Sequence, residues 1–304
     1  MSAIFLGTPA AAVPSLSALV QVDDVEMVIT QPDRPAGRSG TPVASPVKVA
    51  AAQFGFRVEQ PGTVDELTKL LLQSEAEFGL VVAYGRILTE EMLATLPAGF
   101  LNVHFSLLPR WRGAAPVERA IAAGDETTGV TLMRIDTGLD TGPVIAERVT
   151  AIAPSETGGS LTARLAHLGA RLVDDAVPDY LSGRRIPVPQ IATGATHAAR
   201  LTKQEARITP STPADVAVRL VRAFSPRPGA WTETNAGAIR IHGAEEGGDT
   251  GIPVGTIGVE YGLVVCSLPG GSMVLGRVQP SGKPAMSALS WMNGRRGEPA
   301  VLDT

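Results

Sequence analysis

Apolar positions fall into two rhythms over the first 181 residues. Unbroken runs such as Ala3-Ile4-Phe5-Leu6 and Leu80-Val81-Val82-Ala83 leave no polar face, the pattern of strands covered on both sides. Between them, apolar residues recur three and four apart, which places them on one face of a helix. The pattern predicts strands at 3–7, 25–30, 78–83 and 100–104, and helices at 12–21, 46–54, 64–73 and 114–123. Strand and helix in alternation predict an α/β domain with a largely parallel sheet. A further strand over 143–149 and a long helix over 161–181, with Leu161, Leu165, Leu168, Leu172 and Val173 in helical register, close that domain.

The pattern then changes. Pro187, Pro189 and Gly194 interrupt a stretch with few bulky apolar residues, which reads as a connector. From Ala230 onward, short β-favouring runs at 239–242, 255–259, 262–266 and 272–275 are separated by glycine-rich turns, the signature of a small barrel or sandwich. The expected organisation is a first domain over 1–186, a linker over 187–203 and a second, mostly β domain over 204–304.

Composition adds limits. With 44% hydrophobic and 18% charged residues in 304, the chain can bury ordinary cores without covalent staples. Cys266 is the single cysteine and has no intrachain partner, the first residues lack a basic-then-apolar leader, and no apolar run reaches membrane-spanning length. These features predict a cytoplasmic protein outside the membrane. His167, His197 and His242 have no neighbours at metal-ligand spacing, so no required metal is expected. The net charge of −4 is uneven: residues 200–304 hold 11 Lys and Arg against 9 Asp and Glu. That asymmetry permits an anionic partner at the tail.

Gly7-Thr8-Pro9 follows the first strand without the glycine spacing of a dinucleotide fingerprint, which disfavours such a cofactor. The densest polar chemistry is in Leu101-Asn102-Val103-His104-Phe105-Ser106-Leu107-Leu108-Pro109. Asn102 and His104 are two apart, so on a strand both point to one face. Asp136-Thr137-Gly138-Leu139-Asp140-Thr141-Gly142 follows a strand-like run and presents two carboxylates. Taken singly, an Asn-x-His pair and an Asp-Gly loop are more often architecture. Together, an amide, an imidazole and a carboxylate suit acyl transfer to an amine without a covalent intermediate, because Ser106 has no evident base and Cys266 lies in the other domain.

These two stretches resemble the folate-dependent formyltransferases. The likeness extends through Thr30-Gln31-Pro32-Asp33-Arg34-Pro35-Ala36-Gly37-Arg38, Ser45-Pro46-Val47-Lys48, Ala83-Tyr84-Gly85 and Leu108-Pro109-Arg110-Trp111-Arg112-Gly113-Ala114-Ala115-Pro116. It continues in the second domain through Lys203-Gln204-Glu205-Ala206-Arg207-Ile208, Arg222-Ala223-Phe224-Ser225-Pro226 and Gly282-Lys283-Pro284-Ala285-Met286-Ser287. The resemblance implies a Rossmann-like formyltransferase domain followed by an OB-like β-barrel. It implies 10-formyltetrahydrofolate as formyl donor, initiator methionyl-tRNA as acceptor, and a monomer. By the same resemblance Asn102, His104 and Asp140, the last in preference to Asp136, are the catalytic set. Ser106, Leu107, Leu108 and Pro109 are then the folate segment, and Arg34, Arg38, Lys48, Lys203 and Arg222 the tRNA contacts.

Two positions depart from the family pattern: Ser39-Gly40-Thr41 stands where lysines usually follow Arg38, and Phe105 where a small residue is usual. The alternatives are a related transferase acting on a sugar-linked amine, a hydrolase releasing formate, and a tRNA-binding module with a dead site. The complete set of Asn102, His104 and Asp140 speaks against the last.

Overall fold

A computed structural model describes residues 2–35 and 40–303. Two compact units emerge. The first comprises residues 1–116, 127–151 and 162–198, and the second residues 117–126, 152–161 and 199–304.

Through the first unit the order is β1 (Ser2–Gly7), α1 (Val13–Val22), β2 (Asp24–Ile29), the small strands β3 (Arg34–Pro35) and β4 (Pro42–Val43), α2 (Pro46–Phe54) and β5 (Val58–Glu59). It continues with α3 (Val64–Leu72), β6 (Phe78–Val82), α4 (Glu90–Leu93), β7 (Phe100–His104) and β8 (Arg112–Gly113). After α5 (Pro116–Ala123), which from Val117 onward belongs to the second unit, come β9 (Thr127–Arg134), β10 (Val144–Ala151), α6 (Gly158–Leu181), which is part of the first unit from Thr162, and β11 (His197–Ala198). The main sheet runs β10-β9-β7-β6-β1-β2-β5. Strands β7, β6, β1, β2 and β5 are parallel, as the apolar runs predict. β9 and β10 are antiparallel additions at one edge.

Local chemistry explains the elements. All five residues of β6 are buried, whereas edge strand β10 alternates. α2 starts at Ser45, whose side chain accepts from the Lys48 N–H, takes Pro46 at its first position and stops at Gly55 with φ +79°. α3 starts with a complete capping box between Thr63 and Glu66, which satisfies two otherwise orphaned donors. Gly169 lets α6 press against β7, because a Cβ there would lie 2.7 Å from Cγ1 of Val103. β7 is thereby held firmly, and it is the strand that carries Asn102 and His104.

The stretch after α6 is tied down within the first unit. Val188 and Val144 exchange two backbone hydrogen bonds of 2.8 Å, and β11 pairs in parallel with β8.

In the second unit, α7 (Ala214–Ala223), β12 (Trp231–Thr232), β13 (Ile239–Gly247), β14 (Thr256–Glu260), β15 (Leu263–Leu268), β16 (Gly271–Pro280), β17 (Met286–Ser287), α8 (Ala288–Gly294) and β18 (Ala300–Val301) follow one another. The antiparallel path is β12-β13-β16-β15-β14-β18, with β17 on β16. Its two ends meet: Thr234 bridges Leu302, and Asn235 N–H donates to the Val301 carbonyl at 2.9 Å. The sheet curls into a small barrel with a core that includes Ile239, Ile241, Cys266, Met273 and Trp291. Burial pushes the Cys266 thiol up to about 12, so it behaves as a small apolar side chain. No helix among the described residues is long and apolar enough to cross a membrane.

Candidate active site

The site forms where β7 ends. Asn102 and His104 pair across to Met133 and Thr131 of β9; β9 runs on past Leu101, and the loop after it turns back so that Asp140 reaches both side chains. That loop presents its two carboxylates differently. Oδ1 of Asp136 accepts from the Gly138 N–H at 3.0 Å and the Thr141 hydroxyl at 2.7 Å, so Asp136 ties the loop to itself. Asp140 faces the strand: its Oδ1 is 3.5 Å from the Asn102 Nδ2 donor, and its Oδ2 is 3.6 Å from Nδ1 of His104. The structure brings together the three residues singled out in the sequence.

Backbone groups complete the arrangement. The Gly113 N–H donates to Asp140 Oδ2 at 2.8 Å, the shortest contact to that carboxylate. His104 is buried, and its Nε2 lies 2.9 Å from the Trp111 carbonyl. A carbonyl only accepts, so Nε2 is the donor in that contact, and Nδ1 is the nitrogen turned toward Asp140. Trp111 (φ +63°) and Asp140 (φ +52°) are both non-glycine residues in the left-handed region, at about 1–2 kcal/mol each relative to right-handed backbone. Such conformations persist only where surrounding contacts hold them, and they gather at functional sites. Nearby strand ends are also locked. Thr8 donates to the Tyr84 carbonyl at 3.1 Å, and burial pushes the Tyr84 phenol up to about 12.

The segment from Ser106 to Pro109 is a rigid turn. Ser106 is fully buried and its hydroxyl donates to the Arg110 carbonyl at 2.6 Å. Thr131 donates to the Ser106 carbonyl at 2.8 Å and accepts from Leu108 N–H at 3.2 Å. Leu108 is buried, while Leu107 and Pro109 keep partly open faces. Phe105 is buried toward α6, with its ring 3.8 Å from where a Gly169 Cβ would sit. The departure at Phe105 therefore fills space beside the helix.

Of the residues assigned to tRNA by resemblance, Arg34 lies exposed on the β3–β4 hairpin, and Arg38 lies outside the described residues. The Lys48 ammonium is held by Asp33 and by Gln60, both at 2.6 Å, and that pairing with Lys48 holds the Asp33 carboxyl below its ordinary value. In the second unit, Lys203 stands 5.3 Å from the Trp231 ring. Half-buried Arg222 reaches the Ala153 carbonyl at 3.5 Å. Among the described residues no group of three or more His, Cys, Asp and Glu is placed to hold a metal ion.

Four participants were not singled out from the chain itself: Gly113 and Trp111, and the pair Arg112 and Gln190, in which the guanidinium donates to Gln190 Oε1 and the Gln190 amide donates to the Asp140 carbonyl. The first three stand in the quoted Leu108-to-Pro116 motif and were legible as a motif without a role. Gln190 carried no signal.

An amide, an imidazole and a carboxylate thus converge at the carboxyl end of a strand in the parallel part of the sheet, where α/β folds commonly receive ligands. The formyl transferase family model matches residues 3–177, and the formyl transferase C-terminal domain model matches residues 200–296. The chain belongs to the formyl transferase family. Within it, the chain is similar over nearly its whole length to the methionyl-tRNA formyltransferase of Myxococcus xanthus, at 43% identity with 97% of this chain and 96% of that one covered. The methionyl-tRNA formyltransferase of Halorhodospira halophila is 42% identical over 97% of this chain and 98% of its own. A solved structure, HypX from Aquifex aeolicus in complex with tetrahydrofolic acid, shares the fold with a TM-score of 0.66 at 15% identity. That match covers 95% of this chain and 46% of HypX, so the chain spans about half the length of the HypX protein it matches.

Proposed function

We propose that this protein transfers the formyl group of 10-formyltetrahydrofolate to the α-amino group of initiator methionyl-tRNA, acting as a cytoplasmic monomer. The observation that carries the reading is identity above 40% along almost the full chain to enzymes named for that reaction. The convergence of Asn102, His104 and Asp140 supports it.

The chemistry follows from the side chains. The free amine attacks the formyl carbon, a C–N bond forms, and negative charge gathers on the formyl oxygen. The Asn102 amide donates to that oxygen; a single preorganised donor of this kind contributes about 3–4 kcal/mol to the transition state. The bond from the formyl carbon to the folate nitrogen then breaks. The proton lost by the attacking amine passes through the His104–Asp140 pair to the departing nitrogen, a contribution of roughly 10²–10⁴ in rate. Asp140, oriented by the Gly113 N–H, keeps Nδ1 of His104 facing a carboxylate. The partly open faces of Leu107 and Pro109, set by the turn that Ser106 and Leu108 rigidify, receive the flat folate ring.

In this reading the first domain, 1–186, performs the transfer and the second, 204–304, helps hold the tRNA. Arg34 and Arg38 on the loop, and Lys203 and Arg222 in the second domain, meet phosphates, which makes tRNA use salt-dependent. Lys48 secures the root of the loop through Asp33. The test is transfer of labelled formyl from 10-formyltetrahydrofolate to initiator methionyl-tRNA, beside elongator methionyl-tRNA and a water control. Label on the initiator alone is expected. Label released as formate sinks the transferase reading in favour of hydrolysis, and no release at all points to a dead binding module.

A further inference from the structure

Asp140 is held by more than its own carboxylate. Gln190, in the tied-down stretch after α6, accepts two guanidinium N–H groups of Arg112 on its Oε1, at 3.0 and 2.6 Å. Its Nε2 donates to the carbonyl of Asp140 at 2.9 Å and to that of Gly142 at 2.7 Å. A guanidinium only donates and a peptide carbonyl only accepts, so the four partners dictate which way the amide points. Arg112 immediately precedes Gly113, whose N–H holds Asp140 Oδ2. The result is a closed ring. One arm runs from Arg112 through Gln190 to the backbone of Asp140, and the other from Gly113 to its carboxylate.

We propose that Gln190 is a positioning residue for formyl transfer, its amide fixing the left-handed backbone of Asp140 so that the carboxylate meets Asn102 and His104. This rests on the role given to Asp140 above. A tie for the chain segment alone does not account for the geometry. The segment is already attached by the Val144–Val188 pair, by the Arg112 N–H to the Thr196 carbonyl at 2.9 Å and by the β8–β11 bridge. What Gln190 adds is aimed at residues 140 and 142. Gly142 passes close to the Arg134 carbonyl, where a Cβ would clash, so the second carbonyl that Gln190 holds belongs to a residue packed against the end of β9.

The test uses the full chain with Gln190→Glu and Gln190→Ala. Glutamate keeps the length and the acceptor for Arg112 but loses both donors to the loop. Both variants are expected to lower kcat about 10- to 100-fold, the scale of an ångström-sized misplacement of a catalytic group. KM for the folate donor and for methionyl-tRNA should stay within about threefold of the parent. In an Asp140→Asn background, single-turnover rates should fall by less than about threefold on adding either change, since residues acting as one unit are not additive. A Gln190→Glu or Gln190→Ala enzyme with kcat within about threefold of the parent overturns the proposal, as does a full penalty persisting in the Asp140→Asn background. If the glutamate variant does not fold, the alanine variant is judged by the same two criteria. A parent chain that formylates nothing overturns the functional reading instead, so the two failures are distinct.

Discussion

Replacing Gly113 by alanine tests the geometry around Asp140 most directly. Gly113 sits at φ +121°, and a Cβ there would lie 2.7 Å from the Ala198 carbonyl oxygen and 3.1 Å from Cε1 of His197. That carbonyl accepts from the N–H groups of Ala114 at 2.8 Å and Ala115 at 3.2 Å, so it cannot withdraw without releasing them. The backbone strain alone is about 1–3 kcal/mol, and losing a hydrogen bond to a carboxylate is about 1.5–3 kcal/mol. We expect the first domain to lose roughly 3–5 kcal/mol and its melting midpoint to fall by roughly 10 °C. Because the same N–H aims Asp140, kcat measured well below the midpoint should drop by about 10² or more. Calorimetry and labelled-formyl transfer on one preparation read both effects. A Gly113→Ala protein melting within about 2 °C of the parent and keeping over about a third of its rate refutes the argument.

Three further outcomes are expected. Asn102→Ala should lower kcat by about 10²–10³ while shifting the melting midpoint only slightly, since Asp140 keeps its 2.8 Å bond to Gly113; equal loss of stability and rate would mean a structural role. Asp136→Asn, which weakens only the loop's internal bonds to Gly138 and Thr141, should cost about tenfold or less, against about 10² or more for Asp140→Asn; the reverse order in kcat would exchange their assignments. In the second unit the Arg119 guanidinium, at 2.7 Å, holds the Glu205 carboxyl down to about 2. A lowered carboxylate stabilises the fold above its ordinary value of 4.5 and loses that contribution as pH falls toward 2. Glu205 is 40% exposed, which limits the contribution to about 1 kcal/mol. Urea unfolding should therefore show Glu205→Gln weaker at pH 7 and equal to the parent near pH 2; a gap that widens on acidification would contradict the sign.

Much of this was legible because it is local. Fully apolar runs announced the parallel strands. Apolar spacing three and four apart announced the helices over 46–54 and 64–73, and two-residue spacing placed Asn102 and His104 on one face. The choice of Asp140 over Asp136 came from family likeness and agrees with the direction each carboxylate faces. Strand direction at the sheet edge was not legible, since an apolar run such as 130–135 reads the same in either sense and β9 turned out antiparallel. Two-residue strands β8 and β11 carry no period at all. Gln190 and Arg112 are 78 residues apart; nothing in a polar, proline-broken stretch marks which amide will reach a distant loop. Closure of the barrel through Thr234 and Leu302 is hidden for the same reason.

The tether on Asp140 also dates the moment at which the enzyme can begin to work. The residue that grips its carbonyl follows it by 50 positions, so a chain still emerging from the ribosome has Asn102, His104 and Asp140 synthesised before the residue that fastens the loop. The same distance makes the fastening severable. Ile186 and Val188 on the approach to Gln190 are 79% and 64% exposed, and a proteolytic nick there leaves the grip attached only through non-covalent ties such as the β8–β11 bridge and the Arg112–Thr196 hydrogen bond. An intact-looking site that has stopped turning over is the mark such a cut would leave.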